Sequence, residues 1–180
     1  NITEESKEVI YAYGMELLIS DVLNTIIVLL IALFSHTLPA VVVFIAVFMG
    51  LRQFVGGFHA NSHLSCMFTL VMVMMVFSYG ICNVSGHITP IFSISFIMIA
   101  LPIILCIAPV PHPNKPMSEE KSVKLRKRSC ILAVTLSVVT IALLVFQYQK
   151  LSLYVSSGML LSAIMALLGH FLNRGDNSKR

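Results

Sequence analysis

Six apolar segments dominate this chain, and their lengths restrict its fold more than any other feature. They cover residues 15–34, 38–51, 66–83, 90–110, 130–147 and 151–172. A helix needs about 20 apolar residues to cross the hydrocarbon core of a bilayer. With 57% hydrophobic and 11% charged residues in 180, the chain has more apolar surface than a soluble domain could bury. We therefore predict an all-α, polytopic membrane protein with six transmembrane or membrane-embedded helices.

The prediction treats residues 1–180 as a single membrane-embedded domain with three polar parts. The first, residues 1–14, places apolar side chains at helical spacing and glutamates elsewhere. This pattern predicts an amphipathic helix on the membrane surface. The other two are the stretch 52–66 and a basic connector at 111–129. The apolar segment 38–51 is short, so we expect it to borrow residues up to Val55, to tilt or to stop part-way.

The distribution of basic residues predicts the orientation in the membrane. If both termini are cytoplasmic, eleven of the twelve Lys and Arg residues lie on the cytoplasmic side and only Lys150 lies outside. The reverse orientation would place those eleven cations on the outer face, against the positive-inside rule. The net charge of +4 therefore indicates membrane topology, and no nucleic-acid partner is expected. The stretch 52–66 is then cytoplasmic, where a free thiol stays reduced.

That stretch collects most of the chemistry of the chain. It contains Arg52, paired glycines at Gly56 and Gly57, His59 and Cys66, between apolar segments. On one straight helix, seven residues would separate the imidazole and the thiol by about 10 Å. Proton transfer would require the chain to fold back between them, which the two glycines allow. The imidazole would then take the thiol proton, and the thiolate would attack a carbonyl to form a thioester acyl-enzyme.

Other assignments for these residues stay open on spacing alone. Cys66 could be an incidental cysteine in a capping loop, and His63 is a rival base three residues before it. His59 and His63 also have the i, i+4 spacing of zinc-binding helices, but the glutamate of H-E-x-x-H and a third ligand are missing, so no metal is predicted. Cys82, Cys106 and Cys130 lie in or beside apolar runs and are expected to be buried and free.

Three charged side chains, one in this stretch and two in or near the first apolar segment, could take part in the same site. Arg52 could pair with a substrate carboxylate, brace the loop through a carbonyl or anchor the chain at the membrane edge. Glu16 and Asp21 lie in or near the first apolar segment, at a depth that is costly for carboxylates. Either could orient His59 or pair with Arg52, or be a structural acid.

The basic connector begins with three prolines and continues as a predicted helix capped by Ser118. Lys121, Lys124 and Arg128 follow at three- and four-residue steps and form a cationic stripe. The stripe could anchor the helix on anionic lipid or bind an acidic peptide. Lys115 lies in a rigid turn near the membrane edge, apart from the stripe.

Taken together, these residues resemble the accessory gene regulator B family of bacterial membrane endopeptidases. Three motifs match in the expected order, and the hydropathy pattern agrees along the chain. They are Tyr13-Gly14-x-Glu16, Arg52-x3-Gly56-Gly57-x-His59-Ala60-x5-Cys66 and Ala108-Pro109-x4-Asn114-Lys115-Pro116.

The resemblance implies a function that spacing does not. Such proteins remove the C-terminal part of a small amphipathic propeptide and help to convert the rest into a cyclic thiolactone used in quorum sensing. His59 and Cys66 match the catalytic pair, and Arg52 and Gly57 fall on motif positions associated with activity. A homodimer in the bacterial cell membrane, without a cofactor, is implied as well. The alternatives are a non-catalytic peptide exporter and a membrane metallopeptidase that uses His59 and His63.

Overall fold

The computed structural model describes residues 15, 19, 22–23, 25–55, 72–73, 75–77, 79–84, 87–110 and 119–177, without the side chains of residues 119, 121 and 172–177. Five helices have described bounds, and a 3₁₀ turn, Ile81–Asn83, lies between the second and the third. The helices are α1 (Thr25–Phe34), α2 (Leu38–Val55), α3 (Thr89–Ile107), α4 (Glu119–Val145) and α5 (Gln149–Asn177). Within these ranges there is no strand, so the predicted all-α class is confirmed.

Within the described residues, four helices are long and apolar enough to cross a membrane. The apolar stretches are Leu38–Val55, Thr89–Ile107, Ser122–Val145 and Gln149–Phe171, with mean hydropathies from 1.9 to 2.6. The described part of helix α1 is apolar but shorter, and residues 15, 19, 22 and 23 before it are helical as well. The predicted count of six therefore remains a prediction. The amphipathic helix at 1–14 lies outside the described residues, as does part of the segment 66–83.

The helix bounds differ from the apolar segments in three places. Helix α2 extends to Val55, which is one of the three alternatives predicted for the short second segment. Helix α4 runs without interruption from the basic connector into the apolar segment, because no glycine or proline occurs between Glu119 and Val145. Helix α5 begins at Gln149, so Gln149 and Lys150 lie in its first turn, whereas the predicted segments 130–147 and 151–172 leave both residues in the gap between them.

Two tight turns join consecutive helices, and both place a non-glycine residue in the left-handed region. His36 between α1 and α2 has φ 54°, and Gln147 between α4 and α5 has φ 66°. In the first turn, the Thr37 N–H donates to the Ala32 carbonyl and the His36 N–H donates to the Leu33 carbonyl. In the second turn, the Tyr148 N–H donates to the Leu143 carbonyl and the Gln147 N–H donates to the Leu144 carbonyl. Each such pair of bonds is a Schellman cap. Each pair of helices therefore forms an antiparallel hairpin.

Helices α2, α3 and α5 point in the same direction. The Val110 N–H, just past α3, donates to the Val55 carbonyl at the end of α2 at 2.9 Å. Near the other end, the hydroxyls of Ser93 in α3 and Ser152 in α5 lie 3.1 Å apart. Since α4 forms a hairpin with α5, the first turns of α4 lie where α2 and α3 end. We call this side of the bundle the Arg52 end.

Small residues allow α5 to pack closely against α2. A β-carbon on Gly158 would lie 3.0 Å from the Phe44 carbonyl oxygen and 3.1 Å from the Val47 side chain. All four serines in this helix are buried, and their hydroxyls donate to carbonyls three or four residues earlier. Close contact between small residues and satisfied hydroxyls is typical of helix packing in membranes.

The predicted burial of three cysteines is wrong. Cys82 and Cys130 are half-buried, and Cys106 is exposed on α3. Large apolar side chains such as Met98 and Ile99 on the same helix are exposed too, as expected for a surface that faces lipid. Apolar neighbours in sequence are compatible with a protein core and with a surface that faces lipid, so they do not decide whether a cysteine is buried. All three are free, as predicted.

Candidate functional site

Most of the predicted site residues lie outside the described residues. This applies to the proposed catalytic pair, to both glycines, to the rival base, to the acids of the first segment and to the connector lysine. These residues are Glu16, Asp21, Gly56, Gly57, His59, His63, Cys66 and Lys115. Lys121 lies in α4, but its side chain is outside the description. Arg52, Lys124 and Arg128 can therefore be located, together with the chain ends that lead into the two polar segments.

Arg52 is held in the last turn of α2 by an aromatic ring. Its guanidinium carbon lies 5.6 Å from the centre of the Phe48 ring, which is a cation–π distance. A cation in the last turn also interacts favourably with the negative end of the helix dipole. Phe48 is only 4% exposed, whereas Arg52 is half-buried. The charge is therefore located at the boundary of the bundle, immediately before the segment that contains His59 and Cys66.

The hydrogen bond between Val110 and Val55 joins the starting points of the two polar segments. Val55 is fully buried and Val110 is 6% exposed, so water does not compete strongly for this bond. Residue 56 follows one partner and residue 111 follows the other. The segment with the histidine and the cysteine and the segment with Asn114-Lys115-Pro116 therefore leave the bundle at adjacent points. Sequence reasoning had no signal for this contact, because the partners are far apart in the chain.

The first turns of α4 present a cationic surface at the Arg52 end. Lys124 donates to the Glu120 carboxylate at 2.8 Å, and both side chains are mostly exposed, at 69% and 82%. Arg126, Lys127 and Arg128 are exposed as well. The predicted stripe therefore contains one lysine with an acidic partner. Its exposed neighbours in the run Arg126–Arg128, which the stripe did not include, extend the basic surface.

Metal binding gains no support from the residues that the structure describes. They contain no group of three or more His, Cys, Asp or Glu side chains close enough to hold an ion. The pair His59 and His63 lies outside the described residues.

Comparison with known proteins identifies the family. A family model described as Accessory gene regulator B matches residues 1–166, which include all three motifs. The chain belongs to the accessory gene regulator B family. An AgrB-like protein of Clostridium beijerinckii is 24% identical over 116 residues, covering 63% of this chain. The aligned region spans 56% of that relative, so the chain covers little more than half of its length. No solved structure matches the chain.

Family membership and the four apolar helices together make this chain a membrane protein. The accessory gene regulator B family is connected with the processing of quorum-sensing peptides. Arg52 and the Val55–Val110 contact lie within the matched region.

Proposed function

We propose that the protein is a membrane cysteine endopeptidase that cleaves an amphipathic propeptide and promotes its cyclisation to a thiolactone. The observation that carries the proposal is the family match across the Arg52–Cys66 motif. The buried bond between Val55 and Val110 supports it, since the two residues that precede these polar segments are in contact. An active site built from both segments requires that they start close together.

The proposed reaction has two steps. In the first, His59 takes the proton of Cys66, the thiolate attacks the scissile carbonyl, and the C–N bond breaks as the imidazolium returns its proton to the leaving amine. This step leaves a thioester on Cys66. In the second, a cysteine thiolate within the bound peptide attacks that thioester and releases the Cys66 sulfur. Exchange of one thioester for another is nearly neutral in free energy, whereas hydrolysis would lose the acyl group.

Charge at the Arg52 end fits an amphipathic peptide with an acidic tail. We propose that Arg52 pairs with a carboxylate of the peptide at the membrane edge. Lys115, Lys121, Lys124 and Arg128 would attract its acidic part, because several basic side chains on one surface act together. Glu120 partly neutralises Lys124 in the unbound protein. Gly56 and Gly57 give the chain the conformational freedom to return His59 towards Cys66, and Glu16 would orient the histidine.

The topology is proposed from the charge distribution and the helix directions. With both termini in the cytoplasm, the Arg52 end is the cytoplasmic end and Lys150 lies at the opposite end. The protein would be a multi-pass homodimer in a bacterial cell membrane. A single cysteine at position 150 in a cysteine-free chain should react with an impermeant maleimide added outside cells. A cysteine at position 127 should react after the cells are opened, and the opposite result would reject this topology.

The decisive test follows the covalent intermediate. Protein in lipid vesicles is incubated with synthetic propeptide and examined by intact-mass analysis. The wild-type protein and the control variant Cys106→Ala should both form the acyl adduct and release product. Cys106 is an exposed cysteine of α3, so the control removes a thiol that is not part of the proposed catalytic pair. Cys66→Ala should form no adduct and no product. Processing by Cys66→Ala at the unmodified rate would reject the proposal.

The same assay separates the two alternatives. A non-catalytic exporter would leave propeptide cleavage unchanged in Cys66→Ala. A metallopeptidase that uses His59 and His63 would lose activity with a chelator and keep it after thiol alkylation. The proposed cysteine endopeptidase shows the reverse pattern of inhibition.

A further inference from the structure

We propose that Phe48 is a positioning residue for Arg52, and that its ring contributes to where the peptide carboxylate binds. This inference rests on the proposed role of Arg52 in the reaction. An arginine side chain has several rotatable bonds, and ordering it on substrate binding costs conformational entropy. A side chain that holds the guanidinium beforehand reduces this cost. The ring of Phe48, 5.6 Å from the guanidinium carbon, is placed to do so.

The position of Phe48 in α2 explains why this contact is geometrically favourable. Phe48 and Arg52 are four residues apart, so their side chains lie on the same helix face. Phe48 is packed inside the bundle, with only 4% of the residue exposed. Arg52 is half-buried, so part of this residue remains accessible. A cation–π contact in such a partly desolvated place is stronger than one in water.

Phe48 belongs to a row of four aromatic rings. Phe44 lies one turn earlier, with its ring centre 6.3 Å from that of Phe48 and the planes 12° apart. Phe44 contacts Phe77 at 4.3 Å, and Phe77 contacts Tyr154 of α5 at 5.9 Å in an edge-to-face geometry. The four rings join α2 to its neighbours across the bundle. Phe48 is the end of this row, and Arg52 lies over it.

The row also provides a matched control. Phe44 and Phe48 are both almost fully buried in α2, at 2% and 4% exposure. Replacing either by leucine removes a similar buried ring and should lower stability by a similar amount. Phe48 has the cation–π contact with Arg52. A purely structural role therefore predicts similar effects of Phe44→Leu and Phe48→Leu on peptide binding.

The experiment is a double-mutant cycle in peptide binding. Each variant is made in the Cys66→Ala chain, which prevents turnover, and the Kd of labelled propeptide is measured in lipid nanodiscs. Phe48→Leu should raise the Kd about threefold to tenfold, whereas Phe44→Leu should change it by less than about twofold. In the Arg52→Ala background, Phe48→Leu should have no further effect. Phe48→Tyr keeps an aromatic face and should restore binding.

Each outcome supports or overturns the inference. Equal effects of the two leucine variants, a full Phe48→Leu effect without Arg52, or an unchanged Kd in Arg52→Ala would overturn it. If Phe48→Leu fails to fold, Phe48→Met replaces it, because the longer side chain fills more of the same volume. The proposed endopeptidase activity is judged separately, by the acyl adduct on Cys66. Failure of the positioning role and failure of the enzyme are therefore distinguishable.

Discussion

Close packing between α2 and α5 can be tested by a pair of glycine-to-alanine substitutions. Both Gly50 in α2 and Gly158 in α5 are helical, so alanine improves helix propensity by about 1 kcal/mol at either site. A β-carbon on Gly50 would meet no atom within 4 Å. On Gly158 it would lie 3.0 Å from the Phe44 carbonyl oxygen, and helix backbone cannot move as easily as a side chain. Overpacking of this kind costs about 1–3 kcal/mol.

The two effects give opposite predictions for the two sites. Gly50→Ala should stabilise the protein by about 1 kcal/mol. The free energy of unfolding of Gly158→Ala should be about 1–3 kcal/mol lower than that of Gly50→Ala. Both variants gain the same helix propensity, but only Gly158→Ala creates the close contact. Thermal unfolding in the same detergent should separate their midpoints by about 2–4 °C for each kcal/mol. Equal midpoints, or a higher midpoint for Gly158→Ala, would refute the proposed packing.

A double variant tests which contact causes the loss. The β-carbon added by Gly158→Ala would also lie 3.1 Å from Cγ1 of Val47. Val47→Ala removes that methyl group but leaves the Phe44 carbonyl in place. Combined with Gly158→Ala, it should therefore recover part of the lost stability beyond the sum of the single effects. Strict additivity would show that Val47 does not contribute to the crowding.

Two further predictions concern the α4–α5 turn and the basic surface. Gln147→Gly should raise the unfolding midpoint, with a gain of about 0.5–1 kcal/mol, since glycine avoids the cost of a left-handed side chain at φ 66°. Gln149→Gly, inside the first turn of α5, should lower it; equal effects would contradict this account. Glu120→Gln should tighten binding of an acidic peptide about twofold at low salt, because Lys124 loses its carboxylate partner at 2.8 Å. The gain should vanish at high salt, and no change at low salt would reject the docking role of Lys124.

The proposed site residues of this chain can be identified from local sequence, whereas the side chains that position them cannot. The residues from Arg52 to Cys66 indicated a thiol and a base at the membrane edge, and the family match includes them. The ring beneath Arg52 is one turn earlier in an apolar run. Nothing in that run distinguishes Phe48 from other apolar residues until the helix face is known.

The bounds of the helices show the same division. The limits of the apolar segments predicted the turn before α2 and the start of α3, since the second segment begins at residue 38 and the fourth at residue 90. They did not predict that α4 would continue from its basic turns into the apolar segment. Charged residues are compatible with a helix. Where α4 passes from its basic turns into the apolar segment, the environment of the helix changes but its conformation does not.

Sequence alone determined that the chain is helical, that lipid is its solvent and which family it belongs to, because apolar segment length and motif order are local properties. Tertiary structure alone decided that Val55 and Val110 meet, that the Phe48 ring is buried and that Cys106 faces outward. These features depend on how helices pack. In a membrane, core and lipid-facing surfaces are both apolar, so hydropathy cannot distinguish one from the other.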